Sequence, residues 1–234
     1  MVKTLFVTGT DTAVGKTVVS RALLQCFAKA NLCAAGFKPV AKSAQLTSEG
    51  LRNKDALLLQ QASGLALDYS AVNPIALQED EISTSASQRI DYPLLSRSLN
   101  DLQQRAARVV VEGTGGWRSL MNDLQPLSHW VRQEHLPVVL VVGIKEGCIS
   151  HALLSAEAIA QDGLRLVGWV ANRINPGLAH YAEIIDVLRE KLGAPLLGEL
   201  PYLPRAEQRE LSGYLDISLL DENFTHDNSA KPAA

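Results

Sequence analysis

The most informative segment of this chain is Phe6-Val-Thr-Gly-Thr-Asp-Thr-Ala-Val-Gly-Lys-Thr17. It combines a short apolar segment, a glycine-bounded loop and the start of a helical pattern, the order of elements that holds nucleotide phosphates. The backbone N–H groups of such a loop and the positive end of the helix dipole both attract anions. The stretch therefore predicts a nucleotide-binding α/β protein.

Three residues at the end of this loop have predicted roles. Lys16 would reach the outer phosphates, Thr17 would offer its hydroxyl to Mg²⁺, and Gly15 would let the backbone approach the phosphates closely. The loop is a variant, because Thr10 stands where the first glycine is usual and Gly9 precedes it. The alternative is a helix-capping loop with a chance Gly-Lys-Thr, which the flanking strand and helix patterns disfavour.

The composition indicates one sizeable core. The chain has 234 residues, 47% of them hydrophobic, and its formal net charge of −3 is too balanced to indicate a nucleic-acid partner. Because no apolar run is long enough to span a bilayer and no signal-peptide pattern begins the chain, we expect no membrane partner. The three cysteines cannot all pair and lack metal-ligand spacing, which favours a reducing, cytoplasmic setting.

Apolar strand patterns alternate with helical patterns along the chain. The predicted strands cover residues 3–8, 34–40, 108–112, 137–142, 166–171 and 194–198. The longer predicted helices cover residues 18–29, 92–107, 126–134 and 178–192. This alternation predicts a P-loop NTPase-like α/β fold, with a mostly parallel sheet between helix layers. We expect one domain over residues 1–220, a surface excursion over 68–91 and a disordered tail over 221–234.

Three more polar residues are predicted to lie beside the phosphate loop. Lys38 follows an apolar strand, and ligands of open α/β sheets bind just outside the carboxyl ends of strands. Glu112 ends another apolar strand before Gly113-Thr-Gly-Gly-Trp117, and Asp55 lies in the first turn of a helix. Both carboxylates are candidate Mg²⁺ ligands. The alternatives are a solvated lysine, a turn after the glutamate and a helix-dipole contact of the aspartate.

The cysteines and histidines form no site that the sequence supports. Cys148 and His151 lie one helical turn apart, but no oxyanion-stabilising group or orienting partner accompanies them, so we interpret Cys148 as a packing residue. Cys26 and Cys33 are also expected to pack in the core. The other histidines, at positions 129, 135, 180 and 226, have no metal-ligand spacing.

Six segments together resemble the dethiobiotin synthetase family. They are Gly9–Thr17, Lys38–Val40, Gly50–Ala56, Val111–Trp117, Gly143–His151 and Val170–Asn172. The resemblance, which runs in order to about Leu220, implies a homodimer that uses MgATP and CO₂ to close the ureido ring of 7,8-diaminononanoate in biotin synthesis. It implies that an amine takes up CO₂ as a carbamate, that the carbamate attacks the γ-phosphate, and that the second amine displaces phosphate.

The resemblance also implies roles for individual residues. Lys16 and Lys38 would stabilise the transferring phosphoryl group, while Mg²⁺ would be held by Thr17, Asp55 and Glu112. The nucleotide would further contact Ala13, Val14, Gly15, Val18, Gly113, Thr114, Gly115, Asn172, Arg173, Pro201, Tyr202, Leu203 and Gln208. The diamine would contact Lys42 and Ser43, and the neighbouring subunit would close its site with Gly147, Cys148, Ile149 and Ser150.

Four positions depart from what is usual in that family. Ala13 stands where a glutamate is common, and Lys42 stands where a substrate-contacting serine is usual. Ser150 replaces an asparagine, and Ile184 replaces a tyrosine that commonly meets the substrate carboxylate. Because three of these changes fall on the diamine side, a paralogue that acts on another acceptor stays open as an alternative.

Two other functions are compatible with the same loop. A nucleotide-switched ATPase of the partitioning and nitrogenase-iron-protein group would share the fold, but that group has an additional lysine where this chain has Asp11. A regulatory ATP-binding protein without catalysis would fit the changes on the diamine side, whereas the retained Lys38 and the two carboxylates disfavour it. Fold analogy alone does not separate these functions.

Overall fold

The computed structural model describes residues 3–78 and 90–220. Its strands are β1 Thr4–Gly9, β2 Ala34–Phe37, β3 Val40–Ala41, β4 Gln45–Thr47, β5 Gly50–Arg52, β6 Ile75–Ala76, β7 Arg108–Gly116, β8 Val138–Gly143, β9 Leu166–Asn172 and β10 Leu196–Leu200. Its α-helices are α1 Lys16–Lys29, α2 Lys54–Ala62, α3 Tyr69–Val72, α4 Tyr92–Arg105, α5 Ser128–Gln133, α6 Cys148–Gln161 and α7 Tyr181–Lys191. Two 3-10 turns follow β10, Ala206–Gln208 and Ser212–Tyr214.

The main sheet has six strands in the order β10-β9-β8-β1-β7-β2, and each neighbouring pair is parallel. The predicted P-loop NTPase-like fold is confirmed. β2 and β7 lie on one side of β1, whereas β8, β9 and β10 lie on the other. The direction in which strands are added therefore reverses at β1, and ligands of open α/β sheets bind in the crevice at such a switch point.

The core explains why the strand sequences are continuously apolar. All residues of β1 and β8 are buried, as expected for parallel strands covered on both faces. Along β8 the side chains alternate between two core clusters: Val139 and Val141 pack in the larger one, and Leu140 and Val142 pack in the smaller one. Residues of α6 and α7 complete the smaller cluster. Among the described helices, none combines the length and apolarity needed to cross a membrane.

The structure corrects the predicted second strand. β2 ends at Phe37 rather than at Val40, because the Lys38 N–H donates to the carbonyl oxygen of Val72 instead of continuing the sheet. Pro39 has no N–H group to donate, which also ends the ladder. The chain then forms β3, which pairs with β6 in a separate two-stranded sheet.

The predicted excursion over residues 68–91 is wrong in its first part. Tyr69–Val72 form α3 and Ile75–Ala76 form β6, and both Val72 and Leu77 are buried in the larger core cluster. The rest of that segment, residues 79–89, lies outside the described residues, as do the predicted tail and His226. The loop before α2 also contains structure that was not predicted, the antiparallel hairpin of β4 and β5. α7 begins three residues later than predicted, because His180 adopts a left-handed conformation with φ 57°.

The three cysteines differ in their environments. Cys26 and Cys148 are buried, as predicted, whereas Cys33 is exposed in the turn before β2 and its predicted core position is wrong. Burial raises the pKa of the Cys26 thiol to about 11, and the charge of Glu210 acts in the same direction. Cys26 should therefore react slowly with thiol reagents, because it is buried and because little of it is ionised near neutral pH.

We expect iodoacetamide at about pH 8 to modify Cys33 well before Cys26 in the native protein. The reason is that Cys33 is exposed to the reagent, whereas the Cys26 thiol is buried and its pKa is raised to about 11. Peptide mass spectrometry over a time course checks this, with urea-unfolded protein as the control in which the difference disappears. Equal rates for the two residues in the native protein would contradict the burial described above.

Candidate functional site

The loop between β1 and α1 packs tightly although residue 10 is not glycine. Gly15 has φ 89°, and a Cβ at this position would lie 2.1 Å from Asn172 Nδ2, so both conformation and space require glycine. A Cβ at Gly9 would lie 2.5 Å from Val14 Cγ2. Gly9 thus provides close packing one residue earlier than the usual pattern. Thr10 continues the edge of β1, since its N–H donates to the carbonyl oxygen of Val141.

Lys16 is buried against its own loop. Its Nζ donates hydrogen bonds to the carbonyl oxygens of Asp11 at 2.9 Å and Thr12 at 2.8 Å. Burial lowers the pKa of Lys16 to about 8, and the neighbouring Lys38 ammonium adds to this effect. An anion bound in the loop would favour the charged form of Lys16. The site therefore holds a partly desolvated cation whose attraction for an anion is strengthened by burial.

Glu112 connects three elements at the carboxyl edge of the sheet. Its side chain is 0% exposed, and its Oε1 accepts hydrogen bonds from Thr17 Oγ1 at 2.8 Å and Lys38 Nζ at 2.6 Å. Lys38 Nζ also donates to the carbonyl oxygen of Gly113 at 3.0 Å and lies 3.8 Å from Asp55 Oδ2. The structure thus brings together four residues from separate segments that the sequence assigned to one site: Thr17, Lys38, Asp55 and Glu112.

The oxygen atoms of this group fit a hard divalent cation. Glu112 Oε2 is buried and has no hydrogen-bond partner among the described residues. The Thr17 hydroxyl and the Asp55 carboxylate lie beside it and line the same cavity. Within residues 3–78 and 90–220, no group of three or more His, Cys, Asp or Glu side chains could hold a metal ion by itself. The set therefore suits a Mg²⁺ ion that also binds nucleotide phosphates, since such ions use only one or two protein carboxylates.

Two adjoining cavities extend from the phosphate loop. The first, of about 320 Å³, is lined by Lys16, Thr17, Asp55 and Glu112. The second, of about 270 Å³, is more apolar and is lined by residues that the resemblance assigned to the nucleotide, namely Ala13, Gly15, Val18, Asn172, Arg173, Pro201, Tyr202 and Leu203. Ala13, Gly15 and Val18 line both cavities, so a single elongated ligand could occupy the two together.

Asn172 has a defined orientation at the wall of the second cavity. Its Nδ2 donates to the carbonyl oxygen of Val14 at 2.8 Å, which leaves Oδ1 to accept a hydrogen bond. The neighbouring Arg173 guanidinium stacks over the Tyr181 ring, 4.8 Å from its centroid. Five residues assigned to the nucleotide line neither of the two cavities: Val14, Gly113, Thr114, Gly115 and Gln208. The roles of all the assigned residues stay predictions.

The residues predicted for the diamine fall into two separate groups. Lys42 and Ser43 line a third cavity, of about 500 Å³, which shares Asp55 with the phosphate cavity. Lys42 Nζ donates to the carbonyl oxygen of Leu120 at 3.0 Å. The other group, Gly147, Cys148, Ile149 and Ser150, begins α6 and lines none of these three cavities. The two groups therefore share none of these three cavities.

Two sets of polar residues at the site had no signal in the sequence. Lys145 Nζ donates to Asp11 Oδ2 at 2.7 Å, and this bond, with that from the Thr12 N–H, holds the pKa of the Asp11 carboxyl below its usual range. Behind Lys38, the buried Asn73 donates to the Lys38 carbonyl oxygen at 2.7 Å. These partners come from distant segments, so local patterns could not reveal them.

Comparisons with known proteins agree with this geometry. A family described as "AAA domain" matches residues 3–210. The ATP-dependent dethiobiotin synthetase BioD 2 of Salmonella typhimurium is 67% identical over 220 residues, which cover 94% of this chain and 95% of that protein. The protein of the same name from Escherichia coli K12 has the same identity and coverage. The ATP-dependent dethiobiotin synthetase BioD of Vibrio vulnificus YJ016 is 53% identical and covers 95% of this chain and 100% of that protein.

Solved structures with the same fold include two cell-division proteins. The septum site-determining protein MinD complexed with Mg-ADP from Pyrococcus horikoshii matches with a TM-score of 0.59 and 13% identity, covering 99% of this chain and all of the other. The MinD cell division protein of Aquifex aeolicus matches with a TM-score of 0.57, again at 13% identity and with 99% and 100% coverage. At this identity the likeness shows the fold alone.

We expect Lys38→Met to lower the free energy of unfolding by about 3 kcal/mol or more, because it leaves Glu112 as a buried carboxylate without its cation. The double variant Lys38→Met/Glu112→Gln removes both charges and is the matched control, with a smaller expected loss. Urea unfolding measures both. We also expect Mg²⁺ to raise the Tm of Lys38→Met more than that of the wild type, since a divalent cation can replace the ammonium. Equal stability of the single and double variants would contradict this description of the pair.

Proposed function

The chain belongs to the ATP-dependent dethiobiotin synthetase family, and on that premise we propose that it closes the ureido ring of 7,8-diaminononanoate with CO₂ and MgATP in biotin biosynthesis. It is an ATP-dependent ligase that forms carbon–nitrogen bonds. The observation that carries the proposal is the junction of Thr17, Lys38 and Glu112 beside the phosphate loop. The identity of 67% over nearly the whole chain supports the choice of reaction.

The proposed reaction has three steps that balance. One amine of the substrate attacks CO₂ and loses a proton, which gives a carbamate. A carbamate oxygen then attacks the γ-phosphorus of ATP, the bond to the bridging oxygen breaks, and ADP leaves. The second amine finally attacks the carbonyl carbon of the mixed anhydride, loses a proton and expels phosphate, which closes the ring. The second step concentrates negative charge at the phosphoryl oxygens, where positioned cations accelerate the transfer most.

In this proposal Lys16 and Lys38 stabilise that charge. Both ammonium groups are largely withdrawn from water, so their attraction for phosphoryl oxygens is stronger than at the surface. Lys38 exchanges its carboxylate partner for a phosphoryl oxygen when the nucleotide is bound. Thr17, Asp55 and Glu112 would hold Mg²⁺, which would supply positive charge to offset that of the phosphates.

The nucleoside occupies the second cavity in this proposal. The Oδ1 atom of Asn172 accepts a hydrogen bond from the amino group of adenine, because Nδ2 of the same side chain is already used by Val14. Pro201, Tyr202 and Leu203 provide apolar contact for the base. A base with a carbonyl oxygen at the position of that amino group would meet another acceptor and bind less tightly.

We further propose that the enzyme works as a cytoplasmic homodimer, with residues 1–220 acting as one synthetase domain. The segment Gly147–Ser150 of one subunit would close the diamine site at Lys42 and Ser43 of the other. Two observations support this arrangement: Gly147–Ser150 line none of the three cavities described above, and Leu154 of α6 is 61% exposed. In this proposal the enzyme binds only small-molecule partners, and neither nucleic acid nor a membrane takes part.

The proposed function is tested by phosphate release from ATP in the presence of Mg²⁺ and bicarbonate, with and without 7,8-diaminononanoate. We expect release to depend on the diamine and dethiobiotin to form, as identified by mass spectrometry. Phosphate release without diamine dependence would instead favour a nucleotide-switched ATPase. If the protein binds ATP but releases no phosphate with or without the diamine, a regulatory protein would be favoured.

Lys38→Ala should reduce the turnover of the diamine reaction by about 10²- to 10³-fold or more, because it removes one preorganised cation from the transferring group. The affinity for ATP should stay close to that of the wild type, since the loop amides and Lys16 are unchanged. Lys29→Ala, which alters an exposed lysine in the last turn of α1, is the matched control. Steady-state kinetics and calorimetry measure the two quantities, and full turnover in Lys38→Ala would rule out the role assigned to this residue.

A further inference from the structure

A polar network that includes the buried Asn73 and the half-buried Tyr69 lies behind Lys38, and no step of the reaction described above uses it. Asn73 is 3% exposed, and its Nδ2 donates to the carbonyl oxygens of Lys38 at 2.7 Å and Ile75 at 3.0 Å. The N–H of Lys38 donates to the carbonyl oxygen of Val72 at 2.7 Å. The backbone of Lys38 is therefore held on both sides, through its N–H and its carbonyl group, by two consecutive residues.

The network continues from Asn73 to the first turn of α2. The Tyr69 hydroxyl donates to Asn73 Oδ1 at 2.8 Å and accepts a hydrogen bond from the Asn53 N–H at 2.8 Å. Asn53 is the N-cap of α2, and Asp55 lies in the first turn of that helix. A continuous series of hydrogen bonds thus joins the backbone of Lys38 to the turn that carries Asp55.

Each member of this network has a fixed orientation. If the Asn73 amide were rotated, its oxygen would face the carbonyl oxygens of Lys38 and Ile75, and the bond from Tyr69 would be lost. The Tyr69 ring is also held from its open face by the Arg52 guanidinium, 4.3 Å from the ring centroid. Fully satisfied buried networks of this kind specify one arrangement of the segments that they join.

We propose that Tyr69 and Asn73 are positioning residues for phosphoryl transfer, which fix the backbone of Lys38 relative to Asp55 so that the ammonium and the carboxylate face the same phosphoryl group. This inference rests on the proposed function. A lysine side chain is long and flexible, so a fixed main chain narrows the positions that its ammonium can reach. Because a small displacement of a catalytic group costs rate rather than substrate affinity, the network acts on turnover.

Two substitutions test the network, and one matched substitution controls for them. Tyr69→Phe removes only the hydroxyl, and Tyr214→Phe makes the same change at a tyrosine that is 40% exposed. Asn73→Asp keeps the shape of the side chain but replaces the donating nitrogen by an oxygen that faces two carbonyl groups. We expect kcat to fall about tenfold in Tyr69→Phe and about 10²-fold in Asn73→Asp, with the Kd for ATP within about twofold of the wild type. Tyr214→Phe should leave both quantities unchanged.

Chemical acetylation of lysines provides a readout that does not depend on turnover. Lys38 and Lys16 are both buried in the wild type, whereas Lys29 is exposed and serves as the internal reference. We expect Lys38 to be acetylated several-fold faster in Tyr69→Phe and Asn73→Asp, while the rate at Lys16 stays at its wild-type value. Peptide mass spectrometry follows each site separately. A general loosening of the fold would increase both rates together.

The combined results decide the inference. A lower kcat with faster acetylation of Lys38 alone supports it. A kcat equal to that of Tyr214→Phe overturns it, and so does a lower kcat accompanied by equal increases at Lys16 and Lys38. A wild-type protein that does not convert the diamine would overturn the proposed function instead. In that case the selectivity of the acetylation decides by itself whether Tyr69 and Asn73 hold Lys38 in place.

Discussion

The buried hydrogen-bonded ion pair between Lys38 and Glu112 is the interaction on which the rest of the site depends. Two charges withdrawn from water need close mutual contact and further hydrogen bonds, and here Thr17 and the Gly113 carbonyl group provide them. Such a pair often stabilises a fold no more than apolar residues of the same volume would. In this chain the pair matters for the chemistry, because it places a desolvated cation and a desolvated carboxylate beside the phosphate loop.

The topology of the sheet explains how these charges meet. Glu112 lies on β7 in register with Val7 of β1, so its carboxylate emerges beside the loop that follows β1. β2 pairs with the other edge of β7, which brings Lys38 to the same end of the sheet. Thr17 lies in the first turn of α1, and Asp55 lies in the first turn of α2. Parallel strands place all of their carboxyl ends on one edge, so residues far apart in the chain converge there without any long loop.

Much of this arrangement could be predicted from local sequence patterns. The phosphate loop, the strand before Glu112 and the helix start at Asp55 each have a signature within a few residues. Tyr69 and Asn73 have none, because their importance comes from hydrogen bonds to segments that are distant in sequence. Asn73-Pro74 has the local pattern of a turn, and the same asparagine is a fully bonded core residue. The exposure of Cys33 was missed for the same reason, since it depends on where neighbouring segments pack.

A crystal structure of the protein with Mg²⁺ and a non-hydrolysable ATP analogue would show whether the Lys38–Glu112 pair works as proposed. We expect Lys38 Nζ to leave Glu112 and to lie within hydrogen-bond distance of a γ-phosphate oxygen, while Mg²⁺ binds the oxygens of Thr17, Asp55 and Glu112. The hydrogen bonds of Asn73 to Lys38 should persist. A complex in which Lys38 stays on Glu112 and the metal binds elsewhere would contradict the role proposed for this pair.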